Sequence, residues 1–386
     1  MRHEDNSMTG PHPAMIALIV SIGAISINAP LVGAPALQSE FGLPNGAAAR
    51  VLASFGFGYG IGHLAIGVLA TRIEWRVLLA VSLFGYVLST VFVASASSID
   101  VFQYSRVAQG IFAAAAPIVG RALVSRVTNE LRATKLFSGA FALFAWAPVL
   151  APLIAGYLVD AYSWRAIFIG LLAYAIFVTA IIIWRSPPTL RFRPNAEEKF
   201  TESFVALINN RRQRRGVMAT IGAFTCFFTT LSVSDQFSLD TLETSIVVTG
   251  LAASYATGGV LSRIALSWFR PQLVLVVLSV FLLTSAVTYL VLILGHSDGG
   301  RVLLVAAMLS LIAGAISPQT TFQSMGKNAA SAPLALALLG AGKMMFSTAA
   351  AATLIAFSGN SLLISGITCS TCAAVVLLSN IRERVV

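Results

Sequence analysis

Residues 77–97 read VLLAVSLFGYVLSTVFVASAS, a run of twenty-one residues without a charged side chain. A helix of this length is about 30 Å long, which is the thickness of the hydrocarbon core of a bilayer. Arg72 and Arg76 precede the run, and Ser-Ser-Ile-Asp at 97–100 ends it. Because charges and turn residues bound a long apolar segment on both sides, the stretch predicts a membrane-spanning helix.

Similar runs fill the rest of the chain. Of 386 residues, 57% are hydrophobic and 10% charged, whereas a soluble domain has about 25% charged residues. We predict an all-α integral membrane protein with twelve transmembrane helices, and we interpret the run after Ala14 as a retained first helix rather than a signal peptide. The runs lie at 14–37, 48–70, 77–97, 101–124, 136–159, 166–184, 216–234, 244–262, 272–294, 301–320, 332–357 and 361–379.

Loop charges predict the orientation. If the N-terminus is cytoplasmic, one side carries Arg72, Arg76, Arg126, Arg132, Lys135, Arg263, Arg270, Lys327, Arg382, Arg384 and the basic segment 185–215. The other side carries only Arg50, Arg165 and Arg301 among the basic residues. This bias predicts a multi-pass protein of a bacterial-type inner (plasma) membrane with both termini cytoplasmic. It also explains the net charge of +10 as a topology signal, so no nucleic-acid partner is expected.

The segment 185–215 is the only long polar stretch, and it divides the predicted helices six and six. We therefore predict an N-terminal six-helix bundle (1–184), a cytoplasmic linker (185–215) and a C-terminal six-helix bundle (216–386). Residues 197–209 could form an amphipathic helix on the membrane surface. A weak repeat, GVLATR at 67–72 and GVLSR at 259–263, is placed at the inner end of the second helix in each half. Two related halves are a recurring transporter architecture.

Several motifs together carry a family resemblance. They are NAPLVGAPALQSEFG at 28–42, GVLATRIEWR at 67–76, RVAQG at 106–110, PVLAPLIAG at 148–156, and Trp164, Arg165 and Phe168. In this order, the chain resembles the major facilitator superfamily, in the drug:proton antiporter branch that includes bicyclomycin and chloramphenicol exporters. The resemblance implies a pseudo-symmetric twelve-helix fold and proton-coupled efflux by a monomer. It also implies a gating loop with Gly67, Thr71, Arg72 and Arg76, and an antiporter-motif helix with Pro148, Pro152 and Gly156 that packs between the halves.

The chain departs from that branch at two acidic positions. Asn28 stands where the branch has an acid in helix 1, and Thr71 stands where the gating loop has one. We therefore look for substrate binding and proton coupling among the basic residues inside the predicted helices.

Two such residues are Arg106 in helix 4 and Lys343 near the middle of helix 11. A charge inside a bilayer costs several kcal/mol, at least about 2.5–3.5 on insertion scales, so it needs a partner or a task. Either residue could bind an anionic group or take part in proton coupling; the alternatives are a packing contact for Arg106 and a buried ion pair for Lys343. Because no acidic residue lies at mid-depth in any predicted helix, we expect an anionic or zwitterionic substrate.

Other polar positions are weaker candidates. Asn28, His63 and Gln109 also lie inside predicted helices, and His63 could titrate near neutral pH or simply pack. Glycine pairs Gly56/Gly60 and Gly58/Gly62 predict faces for close helix packing. The three cysteines give no disulfide framework or metal site, and no cofactor is expected.

The sequence thus predicts a secondary active exporter of a small molecule, not an enzyme, with the proton as coupling ion and lipids as its surroundings. One alternative is an uptake permease for an anionic metabolite or iron–siderophore. Two further alternatives are a membrane enzyme and a non-transporting membrane sensor. An enzyme would need clustered acidic or histidine residues, and a sensor usually has a soluble domain; the sequence predicts neither feature.

Overall fold

The structure, a computed structural model, describes residues 13–43, 46–125, 130–185, 205, 209–237, 240–325 and 332–381. Within these residues the chain forms twelve long helices. Their bounds are α1 (Pro13–Phe41), α2 (Ala47–Leu69), α3 (Trp75–Ala94), α4 (Ile99–Ala113 and Ala115–Ser125), α5 (Glu130–Ala161), α6 (Trp164–Arg185), α7 (Arg211–Ser232), α8 (Thr241–Trp268), α9 (Pro271–Leu294), α10 (Gly299–Met325), α11 (Ala332–Ala356) and α12 (Ser361–Ile381).

Nine of the described helices are long and apolar enough to cross a membrane. The other three are α4 and α7, which carry arginines, and α5, in which Trp146–Ala161 is the apolar part. In α6 and α9 only 28% of the apolar window is buried, and side chains such as Ile183 and Phe281 are exposed, whereas 78% is buried in α1. Exposed apolar side chains along whole helices fit a lipid-facing surface, so α1 lies inside the bundle and α6 and α9 lie at its rim.

Helix α1 is not uniform. It changes to a 3₁₀ turn at Ala29–Gly33, which contains Pro30, and resumes as an α-helix at Ala34. Proline lacks the amide needed to continue the helical hydrogen bonds, so the break follows from the sequence at this point.

The glycine pairs of α2 serve two opposite faces, as the sequence predicts. A β-carbon on Gly58 or Gly62 would overlap carbonyl oxygens of α4. A β-carbon on Gly56 would lie 2.6 Å from Thr348 Oγ1, and one on Gly60 2.8 Å from Met345 Cγ, both on α11. Small residues allow helices to approach until their backbones touch. Helix α2 therefore packs against its own half on one face and against the other half on the opposite face.

The same close crossing occurs in the second half. Gly258 of α8 and Gly314 of α10 have no room for a β-carbon, because each faces backbone atoms of the other helix. The pair matches Gly58 and Gly110 at the crossing of α2 and α4.

One detail of the predicted repeat is wrong. Helix α8 continues five residues beyond Arg263, to Trp268, whereas α2 ends at Leu69, before Arg72. Gly259 therefore lies beside the crossing with α10 and not at a helix end. Close backbone contact between helices, rather than the GVL string, defines the equivalent positions of the two halves.

The two halves also meet on the side of the bundle where the odd-numbered helices end and the even-numbered helices begin, which we term the distal end. Here Ala49 of α2, Val233 and Leu354 form a small buried cluster. A β-carbon on Gly156 of α5 would lie 3.0 Å from Ser245 Oγ of α8. The distal end is therefore closed by contacts between α2 and α11 and between α5 and α8.

Some predicted features lie outside the described residues. They include most of the 197–209 segment, for which an amphipathic helix is predicted, and the basic residues Arg126, Lys327, Arg382 and Arg384. The described part of the predicted linker ends in α7, which starts at Arg211. Asn210 caps this helix, since its Oδ1 accepts hydrogen bonds from the Arg212 and Gln213 amides.

Candidate functional site

Arg106 is fully buried inside the first half, on the second turn of α4. Its Nη1 donates to Gln109 Oε1 at 2.6 Å, and its Nη2 donates to the carbonyl oxygens of Ser26 at 3.0 Å and Val51 at 3.4 Å. The guanidinium also lies 4.5 Å from the centre of the Phe55 ring. These contacts connect α4 to α1 and α2, so Arg106 holds three helices together.

Gln109 extends this hydrogen-bond network to α3. Its Nε2 donates to Thr90 Oγ1 at 2.8 Å, and that hydroxyl donates to the Tyr86 carbonyl oxygen at 2.6 Å. The Tyr86 hydroxyl returns to Ser26 Oγ at 2.6 Å. Connected buried polar groups of this kind specify how helices pack. Arg106 thus makes packing contacts, which is the alternative to a role in binding. Neither Arg106 nor Gln109 is accessible to a solute in this structure.

His63 lies at the boundary between the halves. It is 4% exposed, its Nδ1 lies 2.8 Å from the Tyr59 carbonyl oxygen, and its ring packs edge-on against Tyr59. A β-carbon on Gly340 of α11 would lie 2.7 Å from His63 Nε2 and overlap the ring carbon beside it. The His63 ring therefore fits against α11 only because residue 340 is a glycine and has no side chain.

Lys343 follows one turn later on α11, near the middle of this helix. It is half-buried, and its ammonium nitrogen lies 4.1 Å from the centre of the Phe224 ring on α7. Phe224 packs edge-on against Phe227 and Tyr255, which stack on each other with centroids 4.3 Å apart. A cation over an aromatic face gains about 0.5–2 kcal/mol, more when it is desolvated. Lys343 thus stands at the edge of an aromatic group from α7 and α8.

Sequence reasoning did not find this aromatic group. Phe224 and Phe227 are spaced by three residues, so they share one face of α7, but Tyr255 lies on α8. Only the packing of the two helices brings them together.

Asn28 marks the break in α1. Its Nδ2 donates to the Ala24 carbonyl oxygen at 2.8 Å, while its Oδ1 is buried with no hydrogen-bond partner among the described residues. A buried unsatisfied acceptor costs about 1–3 kcal/mol. Asn28 therefore offers an acceptor inside the bundle, at the position where the resembling branch has an acid.

The predicted gating-loop residues follow α2. Gly67 is buried near the end of α2, and the Thr71 hydroxyl donates to the Val68 carbonyl oxygen at 2.8 Å. Arg72 is exposed, and the Arg76 guanidinium lies 5.3 Å from the Trp75 ring centre. Thr71 thus makes a contact within its own turn.

The predicted antiporter-motif residues lie in the second part of α5. The α-helix continues through Pro148 and Pro152 without interruption. Gly156 then makes the close approach to Ser245 of α8 described above. The structure brings this part of α5 to the boundary between the halves.

One acidic residue at that boundary was not a sequence candidate. Asp235 follows α7, and its Oδ2 accepts a hydrogen bond of 3.1 Å from the Ala48 amide, at the start of α2. The only sequence signal is an acid directly after a predicted helix, which is common in loops. The contact with α2 depends on the tertiary fold.

The fold and the site together define the class of protein. Twelve helices with an apolar rim, two matching helix crossings and polar groups enclosed in the interior indicate a multi-pass membrane transporter rather than an enzyme. Residues 14–354 match the family model described as Major Facilitator Superfamily. The chain belongs to this superfamily, and it is a multi-pass inner-membrane protein.

The sequence relatives include bacterial proteins named for drug resistance. The chain is 26% identical over 140 residues to a bicyclomycin resistance protein homolog of Haemophilus influenzae, covering 36% of this chain and 35% of that protein. It is 28% identical over 156 residues to multidrug resistance protein MdtL of Shewanella oneidensis, covering 40% and 39%. Multidrug resistance protein D of Escherichia coli is 24% identical over 168 residues, covering 43% and 42%. The alignments thus span about two-fifths of each relative.

Solved structures resemble the whole chain. A bacterial homolog of the human lysosomal transporter Spinster, in an inward-facing and occupied conformation, gives a TM-score of 0.74 at 13% identity and covers 96% of this chain and 97% of that one. A D-xylose-proton symporter gives 0.70 at 16% identity, covering 94% and 96%. At these identities the likeness shows the fold alone.

Proposed function

We propose that this protein exports a small anionic or zwitterionic compound by proton-coupled alternating access of its two six-helix halves, residues 1–184 and 216–386, joined by the 185–215 linker. The observation that carries the substrate class is Lys343, a basic residue halfway along a membrane helix. The names of the relatives, which refer to bicyclomycin and multidrug resistance, support export. We propose that a monomer performs this cycle.

The surroundings of Lys343 favour a solute with both charge and aromatic or apolar surface. The Lys343 ammonium lies against the Phe224 ring, and a positive charge beside aromatic rings suits a solute that has both a negative charge and an apolar or aromatic surface. In a site of low dielectric, a charge pair with a solute is stronger than in water. Phe224, Phe227 and Tyr255 add apolar contact area beside it.

The loop charges support an orientation with both termini cytoplasmic. The distal end would then face outside, and its closed contacts would correspond to a state closed to the exterior. A fluorescent protein fused to the C-terminus tests this orientation, because it fluoresces when the terminus is cytoplasmic and stays dark when it is exported.

The substrate class is tested in two steps. A deletion strain is first profiled for compounds that accumulate inside the cell, and flux of the best candidate is then measured in proteoliposomes. Lys343→Ala should raise the KM at least tenfold for an anionic solute, and Lys343→Arg should restore part of the affinity. The matched control is Thr353→Ala, an exposed position on the same helix. Wild-type flux in both Lys343 variants would refute the role of this residue.

The direction and the coupling ion need a separate measurement. When a pH gradient is imposed on proteoliposomes, the solute should accumulate in the more acidic compartment, because protons leave that compartment in exchange for the solute. Accumulation with the opposite sign would favour an uptake permease, and flux without any response to the gradient would exclude proton coupling.

A further inference from the structure

Asp235 connects the two halves at the distal end. It lies in the short turn Ser234–Gln236 after α7, and its Oδ2 accepts a hydrogen bond of 3.1 Å from the Ala48 amide. Ala48 belongs to the first turn of α2, whose amides have no partner within the helix. One half of the protein thus caps a helix of the other half.

The second oxygen of this carboxyl group is in a different situation. Asp235 Oδ1 is buried and has no hydrogen-bond partner among the described residues. An ionised carboxylate has two acceptor oxygens, and its burial is costly when one of them is unsatisfied. Amides at a helix N-terminus favour the charge by about 0.3–1 kcal/mol at exposed sites, but the buried oxygen opposes it.

The charged groups around Asp235 do not supply a counter-ion. Arg50 lies one turn into α2, and no ion pair within 4.0 Å joins it to Asp235 in the described part of the chain. On the segment that follows Asp235, Asp240 caps α8 by accepting a bond from the Glu243 amide. Beside Asp235, the Gln236 amide group donates to Ser361 Oγ at the start of α12, and neither of these side chains is charged.

We propose that the distal end is a gate and that Asp235 is its proton-binding residue, whose protonation stabilises the closed distal end while its ionisation favours opening. When the distal end opens, Ala48 and Asp235 separate with their two halves, and the carboxyl group becomes exposed to water. The apolar contact of Ala49, Val233 and Leu354 beside it separates in the same motion. Asp235 therefore changes its environment when this end opens.

The direction of the pH effect follows from linkage. Burial raises the pKa of Asp235 above its usual range, and hydrogen bonds from backbone amides at the start of α2, including Ala48, oppose this only in part. In an open state the carboxyl group would have an ordinary pKa of about 3.9. The closed state thus binds the proton more tightly, so acidification favours closure. The closed-to-open ratio should rise by up to tenfold per pH unit between the raised pKa and about 3.9, and should be constant below that.

This inference rests on the proposed alternating access of the two halves but not on which solute is carried, and the experiment measures conformation alone. Spin labels are placed at Ser97 and Gly299, two exposed distal positions on opposite halves, in a chain whose three cysteines are replaced by alanine. A side chain at position 299 meets nothing within 4 Å. Double electron–electron resonance in lipid nanodiscs from pH 8 to pH 4.5 then gives the fractions of short and long distances.

The wild-type residue at position 235 should give a larger short-distance fraction at low pH. Asp235→Asn, which resembles the protonated acid, should give a large short-distance fraction at every pH. Asp240→Asn is the matched control and should keep the wild-type pH response. An unchanged pH response in Asp235→Asn would overturn the proposal, and so would opening at low pH, because the ionised form would then hold the gate closed. A normal distance response in a protein that lacks proton-driven flux would contradict the proposed coupling but leave the gate intact.

Discussion

The crossing of α8 and α10 gives a sharp test of the fold, because two glycines of α8 differ in the space around them. A β-carbon on Gly258 would lie 2.8 Å from the Ala315 nitrogen and closer still to the Leu311 carbonyl oxygen. A β-carbon on Gly250 would meet nothing within 4 Å. The change from glycine to alanine adds the same methyl group at both positions. At Gly258 this group overlaps atoms of α10, whereas at Gly250 it has space.

The expected effects follow from these distances. Carbon-to-oxygen contacts between helices are about 3.3–3.6 Å, so Gly258→Ala must push α8 and α10 apart by roughly 1 Å or more. Forcing an extra methyl group into a packed interior costs about 1–3 kcal/mol. Alanine also favours the helix by up to about 1 kcal/mol over glycine, and at Gly250 this gain is unopposed.

The assay is thermal unfolding in detergent, followed by size-exclusion chromatography of the protein that remains folded. With roughly 2–4 °C per kcal/mol for a large domain, Gly258→Ala should lower the Tm by several degrees. Gly250→Ala should leave the Tm unchanged or raise it slightly. A Gly258→Ala protein as stable as Gly250→Ala would refute the close contact between α8 and α10.

Three further outcomes are expected. Arg106→Lys should lower the thermal stability by about 1.5–3 kcal/mol, because a lysine keeps the charge but cannot reproduce the forked hydrogen bonds, and unfolding in detergent measures it. Glu40→Gln breaks the half-exposed pair with Arg165, whose closest atoms lie 2.7 Å apart, and should cost under about 1 kcal/mol in the same assay. Gly340→Ala should reduce solute flux with normal yield, because its methyl group displaces the His63 ring between the halves; His63→Ala in the same chain should restore flux if the overlap is the cause.

Much of the architecture could be predicted from the sequence. A bilayer permits only segments whose backbone is satisfied internally, so apolar runs of about 20 residues predict helices directly. The glycine pairs of α2 also predicted two packing faces, since residues four apart lie on one side of a helix. Helix ends were less well predicted: α8 extends past Arg263 and α7 starts at Arg211, because a charge near a helix end does not by itself end a helix.

The candidate site was harder to predict. Composition drew attention to Arg106 and Lys343, since each basic residue inside a helix stands out against an apolar background. The sequence could not tell them apart. The fold surrounds Arg106 with carbonyl oxygens of α1 and α2, whereas it leaves Lys343 half-buried beside aromatic rings of α7 and α8.

For this protein, then, the sequence by itself determined that the chain lies in a lipid bilayer, how many helices it has and which family it belongs to. Each of these depends on local composition or on short motifs along the chain. The tertiary structure alone decided which polar groups face one another. Asp235 shows the physical reason: it is 187 residues from Ala48 in the chain, and only the packing of the two halves makes a loop carboxylate a buried acceptor at the end of another helix.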